Sequence, residues 1–106
     1  NQNIASWNVS SIKSMVYMFS YAKAFNQDIS SWDVSRVTSM HGVFMSASSF
    51  NQNIASWNVS SIKSMVYMFS YAKAFNQDIS SWDVSRVTSM HGVFMSASSF
   101  NQNIAS

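Results

Sequence analysis

Apolar side chains follow two different spacings along the chain, and the first of these is typical of a helix. Four apolar residues stand three or four positions apart, which places them on one face of a short helix. These residues are Met15, Met18, Phe19 and Ala22. Ser14 comes directly before them, and its side chain suits a helix N-cap. The pattern therefore predicts a helix over Ser14–Lys23, with copies in the rest of the chain.

The second spacing is an alternation that begins at Phe25. Phe25 and Ile29 fall on one side of the chain, whereas Asn26, Asp28 and Ser30 fall on the other, as in a short strand. The predicted strands are Gln2–Ser6, Gln27–Ser31, Gln52–Ser56 and Gln77–Ser81. Neither a helix nor a strand of this length is stable alone. The elements must therefore pack against copies of themselves.

The chain is a tandem repeat. Residues 1–50 recur unchanged as residues 51–100, and residues 101–106 begin a third copy. The two halves of the 50-residue unit agree at 12 of 25 positions, so odd and even variants of a 25-residue repeat alternate. We predict a single array with coils 1–25, 26–50, 51–75 and 76–100 and a partial coil 101–106. The predicted fold class is an α/β repeat solenoid, in which each coil contributes one short parallel strand and one short helix.

One set of apolar side chains is expected to point inward in every coil. In the first coil this set is Ile4, Val9, Ile12, Met15, Phe19, Ala22 and Phe25. Elsewhere a large residue in odd coils alternates with a small one in even coils, as Tyr17 does with Gly42, so that neighbouring coils interdigitate. Charge alternates too, because Asp28 has Asn3 and Asn53 at the equivalent positions of its neighbours. This arrangement avoids the direct stacking of like charges.

Composition narrows the partners. Charged residues make up only 9% of the chain and the net charge is +2, which does not indicate nucleic acid or an acidic membrane as a partner. A surface rich in Ser, Asn and Gln repels its neighbours weakly and favours self-association. The absence of cysteine excludes disulfides, thiolate metal sites and Cys nucleophiles. No apolar run approaches the ~18 residues that a membrane-spanning helix needs.

Two sets of aromatic residues are candidates for binding. The candidate interaction face consists of Tyr17, Tyr21, Tyr67 and Tyr71. These rings lie largely off the apolar stripe, so they form either an exposed adhesive patch or a layer across Gly42 and Ser46 of the next coil. The second set is a column of one tryptophan per coil, namely Trp7, Trp32, Trp57 and Trp82. A glycan platform and a core ladder are the alternatives, and a tryptophan beside a valine in every coil favours the core ladder.

No constellation of residues indicates a catalytic, cofactor or metal site. Asp28 and Asp33 resemble the carboxylate pair of a glycosidase, but identical copies at 50-residue intervals argue against one active site. Met15, Met18 and His41 could ligate a soft metal. Methionine at a repeating helical spacing is more often core filler, however. We therefore expect no enzyme activity, no cofactor and no metal, and we expect His41 to be solvated.

Asparagine occurs in two further motifs. Asn8 and Asn58 each begin an Asn-Val-Ser sequence and are candidate glycosylation sites. Asp33 stands at the equivalent position of the even coil, so a turn-forming residue explains them without sugar. In addition, an Asn-Gln pair opens every coil; the asparagines are Asn1, Asn26, Asn51, Asn76 and Asn101. Ladders of these amides bond along a stack and are expected to hold the coils in register.

The repeat resembles a known family. Residues 25–35 read F-N-Q-D-I-S-S-W-D-V-S, residues 37–40 read V-T-S-M, and Phe44 and Ala47 follow. This pattern is similar to the tandem repeats of bacterial surface proteins and Mycoplasma-type lipoproteins, which look like distant kin of the BspA-like leucine-rich repeats. The resemblance covers the whole chain. It implies an extracellular or cell-surface array of leucine-rich-repeat-like coils, in which the matching residues are scaffold rather than site.

Two functions are consistent with these observations. The first is a structural or assembly module of an extracellular surface protein or fibre, whose partner is itself, end to end or side by side. The alternative is an adhesion module that binds a host or matrix protein or a glycan across several coils. Because the chain carries no polar capping repeat, we expect it to be a segment of a longer fibre or to polymerise end to end.

Overall fold

Four repeats lie side by side in chain order, and we call them the first to the fourth repeat. The computed structural model describes Ile4 and residues 6–101. Most of the first predicted strand and residues 102–106 of the partial coil lie outside the described residues. The molecule measures 33 × 27 × 20 Å. Hydrogen bonds join each repeat to the next, between partners such as Ile4 and Gln27 or Trp57 and Ile29, which are 23 and 28 residues apart.

The predicted α/β solenoid, with one helix and one strand per coil, is wrong. Within residues 6–101 there is no helix and no extended strand. Parallel pairing in this range is confined to isolated bridges between one serine of each repeat and its equivalent in the next. The bridged serines are Ser14, Ser39, Ser64 and Ser89. Each repeat is instead a succession of turns, and bonds between repeats hold those turns in place.

The segment predicted as the helix Ser14–Lys23 is a run of tight turns. The N–H groups of Met18, Ser20 and Ala22 each donate to the carbonyl oxygen three residues earlier, at 3.1 Å. Tyr17 and Tyr21 occupy the third position of two of these turns and have φ angles of 58° and 64°. A type II turn places positive φ at that position, whereas an α-helix needs negative φ throughout. Two left-handed residues four positions apart therefore exclude the predicted helix.

Backbone N–H groups of this segment alternate between two kinds of partner. Those of Met15, Tyr17, Phe19 and Tyr21 donate to carbonyl oxygens of the second repeat at 2.8–3.0 Å. Those of the intervening residues Met18, Ser20 and Ala22 bond within their own turns. The same alternation joins the second repeat to the third and the third to the fourth. Each N–H group from Tyr17 to Ala22 thus has a backbone partner, as a segment that covers the core requires.

The segments predicted as strands are joined by side-chain amides in place of a backbone ladder. The N–H of Asn76 donates to Oδ1 of Asn51 at 2.9 Å, and Nε2 of Gln77 donates to the backbone oxygen of Asn51 at 3.1 Å. Asn51 bonds in the same way to Asn26, and Asn101 to Asn76. The asparagine oxygens accept and the glutamine Nε2 groups donate, in place of the backbone groups of a neighbouring strand. The expectation that the Asn-Gln columns link the coils in register is therefore confirmed, although the strands are not.

The inward-facing apolar set is confirmed in the two interior repeats. All seven of its members are at most 2% exposed in the second and third repeats. Val43 and Met68, at a position outside the predicted set, are fully buried as well. In the outer repeats burial is less complete, because each has only one neighbour in the structure. Ile12 is half-buried there, and Met90 is 41% exposed.

Columns of phenylalanine rings run through the core along the stack. Phe44 and Phe50 lie face to face within the second repeat, with their ring centroids 4.2 Å apart. Phe44 also stacks on Phe19 of the first repeat at 5.7 Å and on Phe69 of the third at 5.5 Å. Offset stacking of this kind adds to the gain from burying the rings. The core is thus continuous from repeat to repeat.

The tryptophan column closes the core from the opposite side. The ring of Trp57 lies 6.1 Å from that of Phe44, and its Nε1 donates to the backbone oxygen of Ile29 at 2.9 Å. Trp32 and Trp82 make the equivalent bonds. Trp7 is 56% exposed because no earlier repeat covers it in the structure. Three of the four tryptophans are therefore core residues, and the glycan-platform alternative does not apply to them.

Candidate interaction face

The run of turns places two tyrosines of each odd repeat on the outer surface. We call this set the tyrosine face; its members are Tyr17, Tyr21, Tyr67 and Tyr71. Tyr21 is the most exposed at 65%, followed by Tyr17 at 48% and Tyr71 at 47%, and Tyr67 is half-buried. Phe19 and Ala22, which belong to the same turns, point to the core. The turn geometry thus separates an outer aromatic layer from an inner one.

Tyr17 and Tyr67 lie across the glycine of the following repeat. A Cβ atom added to Gly42 would stand 2.6 Å from two ring carbons of Tyr17, and one added to Gly92 would stand 2.6 Å from Tyr67. Gly42 also has a φ of +62°, which side chains rarely adopt. Both interpretations of the tyrosines therefore hold in part. The first tyrosine of each odd repeat packs on a glycine, whereas Tyr21 projects furthest into solvent.

A histidine of each even repeat joins this packing. The hydroxyl oxygen of Tyr17 and Nε2 of His41 are 2.9 Å apart, and the two rings meet edge to face with centroids 5.1 Å apart. His41 also meets Tyr67 at 6.0 Å, and Tyr67 meets His91 at 5.5 Å. His41 and His91 are both expected from the sequence to be solvated; His91 is exposed, whereas His41 is half-buried between two tyrosine rings. The signal in the sequence was a histidine directly before Gly42 and 24 residues after Tyr17.

Exposed lysines border the tyrosine face in both odd repeats. They are Lys13, Lys23, Lys63 and Lys73. The backbone oxygen of Lys13 accepts the N–H and the hydroxyl of Thr38 at 2.8 and 3.3 Å, which anchors the start of the turn segment. Lys23 follows Tyr21 by two residues. Each odd repeat thus presents its lysines on either side of its tyrosines in sequence.

The four aspartates lie across the core from the tyrosine face, in the segments that also contribute the tryptophans. We call this surface the aspartate side. Oδ1 of Asp28 accepts the N–H of Ser30 at 3.0 Å, and Oδ1 of Asp33 accepts the N–H and hydroxyl of Ser35 at 3.0 and 2.6 Å. Hydrogen bonds from these serines hold the pKa of both carboxyls below the ordinary value of 3.8, and Arg36 lowers the pKa of Asp33 further. Asp78 and Asp83 repeat this arrangement.

Asn8 and Asn58 occupy the same turn position as Asp33. The Oδ1 atom of each asparagine accepts the N–H group at 3.1 Å and the hydroxyl group at 2.7 Å of the serine two residues later. Both side chains are exposed. The turn-forming role inferred from the sequence is confirmed, and exposure leaves both residues as candidate glycosylation sites.

Shallow grooves lie between successive repeats on the aspartate side. One is lined by Asp28, Ser30, Gln52, Asn53, Ala55 and Ser56. The next is lined by Asn53, Ala55, Gln77, Asp78, Ser80 and Ser81. Each groove thus contains one carboxylate, several neutral hydrogen-bonding groups and the methyl group of Ala55. Within the described part of the chain, no three His, Cys, Asp or Glu residues come together as metal ligands.

A family model matches residues 1–106, the whole of the chain, and its description reads Mycoplasma protein of unknown function, DUF285. The chain belongs to this family. Membership fits the resemblance to Mycoplasma-type repeats, whereas kinship with BspA-like leucine-rich repeats stays a prediction. The family description assigns no activity to a DUF285 protein.

Other comparisons add nothing to this assignment, since no curated protein and no solved structure matches the chain. Among the residues that the structure describes, none form a helix that is long and apolar enough to cross a bilayer. The tyrosine face and the aspartate side are therefore the two features of this DUF285 chain from which a function can be argued. Both follow from the alternation of odd and even repeats.

Proposed function

We propose that this chain is a structural repeat module, without catalytic chemistry, whose role is to extend an array by stacking one repeat on the next. The observation that carries the proposal is the recurrence of the same contacts at successive interfaces. Ser39 bridges to Ser14 on one side and to Ser64 on the other. Trp57 bonds to Ile29 as Trp82 bonds to Ile54. A contact set that repeats by translation can continue for any number of repeats.

The outer repeats support this role. The N–H of Asn101 donates to Oδ1 of Asn76 at 2.9 Å, so the residue that opens the next repeat already makes the standard contact. Met18 and Met90 are exposed in the outer repeats, whereas Met68 and Met40 at the equivalent positions inside are buried. A further repeat of the same sequence would cover them, either from the same polypeptide or from a second copy. The proposed partner is accordingly the repeat itself.

We place this array outside the cell or at its surface. The proposal follows from the resemblance to surface repeats, and the exposed Asn8 and Asn58 sequons are compatible with it. Expression in a cell that glycosylates secreted proteins, followed by mass measurement of the chain and of an Asn8→Asp, Asn58→Asp variant, would show whether either site is used. Aspartate is the residue that the even repeats carry there.

The stacking role is tested by chains of four, six and eight repeats. If interfaces between repeats supply the stability, both the melting temperature and the denaturant slope will rise with repeat number. Circular dichroism and Trp fluorescence should report the same rise. Equal melting temperatures in all three chains would contradict the proposal. Electron microscopy of the longest chain should show a rod whose length grows with the number of repeats.

Adhesion is the second candidate, and the exposure of Tyr21 and Tyr71 favours it. Tyrosine offers a large, rigid contact with a polar end, and such residues are enriched where proteins bind one another. Arrays of glycans and of matrix proteins can be screened with the chain and with a Tyr21→Ser, Tyr71→Ser variant. Serine is the residue of the even repeats at this position. Adhesion requires a ligand that the variant no longer binds and that the control, Ser46→Gly, Ser96→Gly, still binds.

A further inference from the structure

The lysines and the aspartates belong to different segments of the repeat. All four lysines belong to odd repeats and border the tyrosine face, whereas all four aspartates belong to even repeats. The ring of Trp57, from the aspartate side, packs on Phe44, from the tyrosine side, with centroids 6.1 Å apart. The aromatic core therefore lies between the segments that carry the tyrosines and the segments that carry the aspartates. Arg36 and Arg86 act on Asp33 and Asp83, whereas no cation contributes to the lowered pKa of Asp28 or Asp78.

Among the described residues, the lysines are not paired with the aspartates. The aspartates are held by serine hydrogen bonds, and Arg36 and Arg86 are the cations that act on Asp33 and Asp83. No lysine contributes to the lowered pKa of any of the four described carboxyls. All four lysines are exposed. The lysines, Asp28 and Asp78 therefore keep their charge for a partner.

The two faces also have the same period. Lys23 and Lys73 are separated by two repeats along the stack, and so are Asp28 and Asp78. Each step between stacked phenylalanines measures 5.5–6.0 Å, and each row of charges spans two such steps. Among partners that carry negative charge, a second copy of this chain necessarily has the matching spacing. We infer that the lysine-bordered tyrosine face binds the aspartate side of a second copy of this chain.

Shape and chemistry fit this contact. The groove at Asp28 is lined by Ala55, which is apolar, and by Gln52 and Ser30, which can form hydrogen bonds. A tyrosine such as Tyr21 has an apolar ring that can contact Ala55 and a hydroxyl group that can bond to Gln52 or Ser30. Exposed ion pairs contribute little alone. The rings therefore supply contact area, and the matched lysine and aspartate rows set the register.

The contact is heterologous, since each copy uses one face to bind and keeps the other free. Contacts of this type grow into open assemblies unless the rotation between copies closes a ring. The inferred product is lateral growth of the array, which extends the structural role proposed above. Its failure would leave that role intact, because the repeat-number series measures stacking within one chain and not association between chains.

The test uses sedimentation velocity on the intact chain and on two double variants. The lysine variant, Lys23→Ser with Lys73→Ser, carries the residues of the even repeats; the aspartate variant, Asp28→Asn with Asp78→Asn, carries those of the odd repeats. We expect the unchanged chain to associate with increasing concentration at about 0.05 M salt and to dissociate at about 1 M salt. Each variant should associate about tenfold more weakly.

A mixture of the two variants is the decisive measurement. The lysine variant retains an intact aspartate side, and the aspartate variant retains an intact tyrosine face, so the pair should form a 1:1 complex as strong as the association of the unchanged chain, whereas growth beyond that complex should be about tenfold weaker. The control is Arg36→Ser with Arg86→Ser, which removes the same two positive charges as the lysine variant from a chain of net charge +2. Because these arginines lie beside Asp33 and Asp83, this control should associate at least as strongly as the unchanged chain.

Several results would overturn the inference. A chain that stays monomeric at all concentrations, a lysine variant that associates like the unchanged chain, or a mixture without a 1:1 complex would each do so. If the arginine control weakens as much as the lysine variant, net charge and not the tyrosine face governs association. If an acidic polysaccharide binds the monomeric chain and not the lysine variant, the face serves an anionic ligand and not a second copy.

Discussion

Replacement of Phe44 by alanine should lower the free energy of unfolding by about 3–5 kcal/mol, because a large ring is removed from a packed interior. Phe44 is fully buried in the second repeat. Its ring stacks on Phe19, Phe50 and Phe69 at 5.7, 4.2 and 5.5 Å, and it lies 6.1 Å from Trp57. Alanine would leave four aromatic neighbours facing a cavity that spans two interfaces between repeats.

The chain supplies a matched control at the equivalent position of the fourth repeat. Phe94 is half-buried and stacks on Phe69 and Phe100 at 5.5 and 4.0 Å. It has two aromatic neighbours where Phe44 has four. The same substitution there should therefore cost about 1–3 kcal/mol, since less contact is lost and the site can relax. Lys23→Ala, at an exposed position, should change the free energy of unfolding by less than about 0.5 kcal/mol.

Equilibrium urea unfolding followed by Trp fluorescence measures these differences. The midpoint and the slope should be fitted separately, because a changed slope would reveal partial unfolding of single repeats. If Phe44→Ala does not fold, Phe44→Leu keeps most of the apolar volume and preserves the comparison with Phe94→Leu. Equal losses at the two positions, or losses as small as that of Lys23→Ala, would refute the assignment of a continuous core that is tightest in the interior repeats.

Three further predictions follow from other contacts. Gly42→Ala should lower the free energy of unfolding by about 1–3 kcal/mol because of the positive φ at this position and the nearby Tyr17 ring. In urea titrations this loss should be smaller in a Tyr17→Gly background, and an unchanged loss would show that the ring contact does not matter. Trp57→Phe should cost about 1–3 kcal/mol through the lost Ile29 hydrogen bond and the smaller ring, whereas Trp7→Phe, at an exposed position, should cost much less by the same titration. The pKa values of the four aspartates lie below 3.8 in the folded chain. Their contribution to stability is therefore present above pH 3.8 and is lost as the pH falls through the lowered pKa values. The melting temperature should fall on acidification below pH 3.8, and it should fall less in a variant with asparagine at all four positions.

The buried residues could be predicted from the sequence because the same apolar positions recur in every repeat, and this recurrence does not depend on whether the backbone is helical. The set that begins with Ile4 and ends with Phe25 is inward in both interior repeats. The helix could not be read in the same way. Successive tight turns also place inward-facing apolar residues three and four positions apart, with the residues between them directed to solvent. Only the left-handed backbone at Tyr17 and Tyr21 distinguishes the two cases.

A signal for that backbone was present in the sequence at one position. The only two glycines of the chain, Gly42 and Gly92, stand at the equivalent position of Tyr17, where φ is positive in every repeat. The tyrosines of the odd repeats gave no indication of a positive φ, because residues other than glycine seldom adopt one. The predicted strands failed for another reason. Alternation places Ile29 inward correctly, but it does not decide whether backbone groups or the amides of Asn51 and Gln77 will join the neighbours.

The residues of the tyrosine face were identified from the sequence, but their contacts with histidines of adjacent repeats could not be predicted from any single repeat. His41 reaches Tyr17 and Tyr67 only because adjacent repeats stack in register. A contact between residues 24 apart requires the pitch and the register of the stack, and neither is encoded in the spacing of apolar residues within one repeat.

The alternation of two repeat types satisfies a packing requirement at one position and keeps carboxylates out of adjacent repeats at another. Tyr17 occupies the space that a Cβ atom of Gly42 would need, at a separation of 2.6 Å. A stack of identical odd repeats would place a tyrosine where that glycine stands, and the Tyr17 ring could not keep its position. In the same way, Asn53 separates Asp28 from Asp78, so no carboxylate has a carboxylate in the adjacent repeat. Because both conditions are met only when two different repeats alternate, the unit that must be duplicated to lengthen this array is the pair of 50 residues, and not the single repeat of 25.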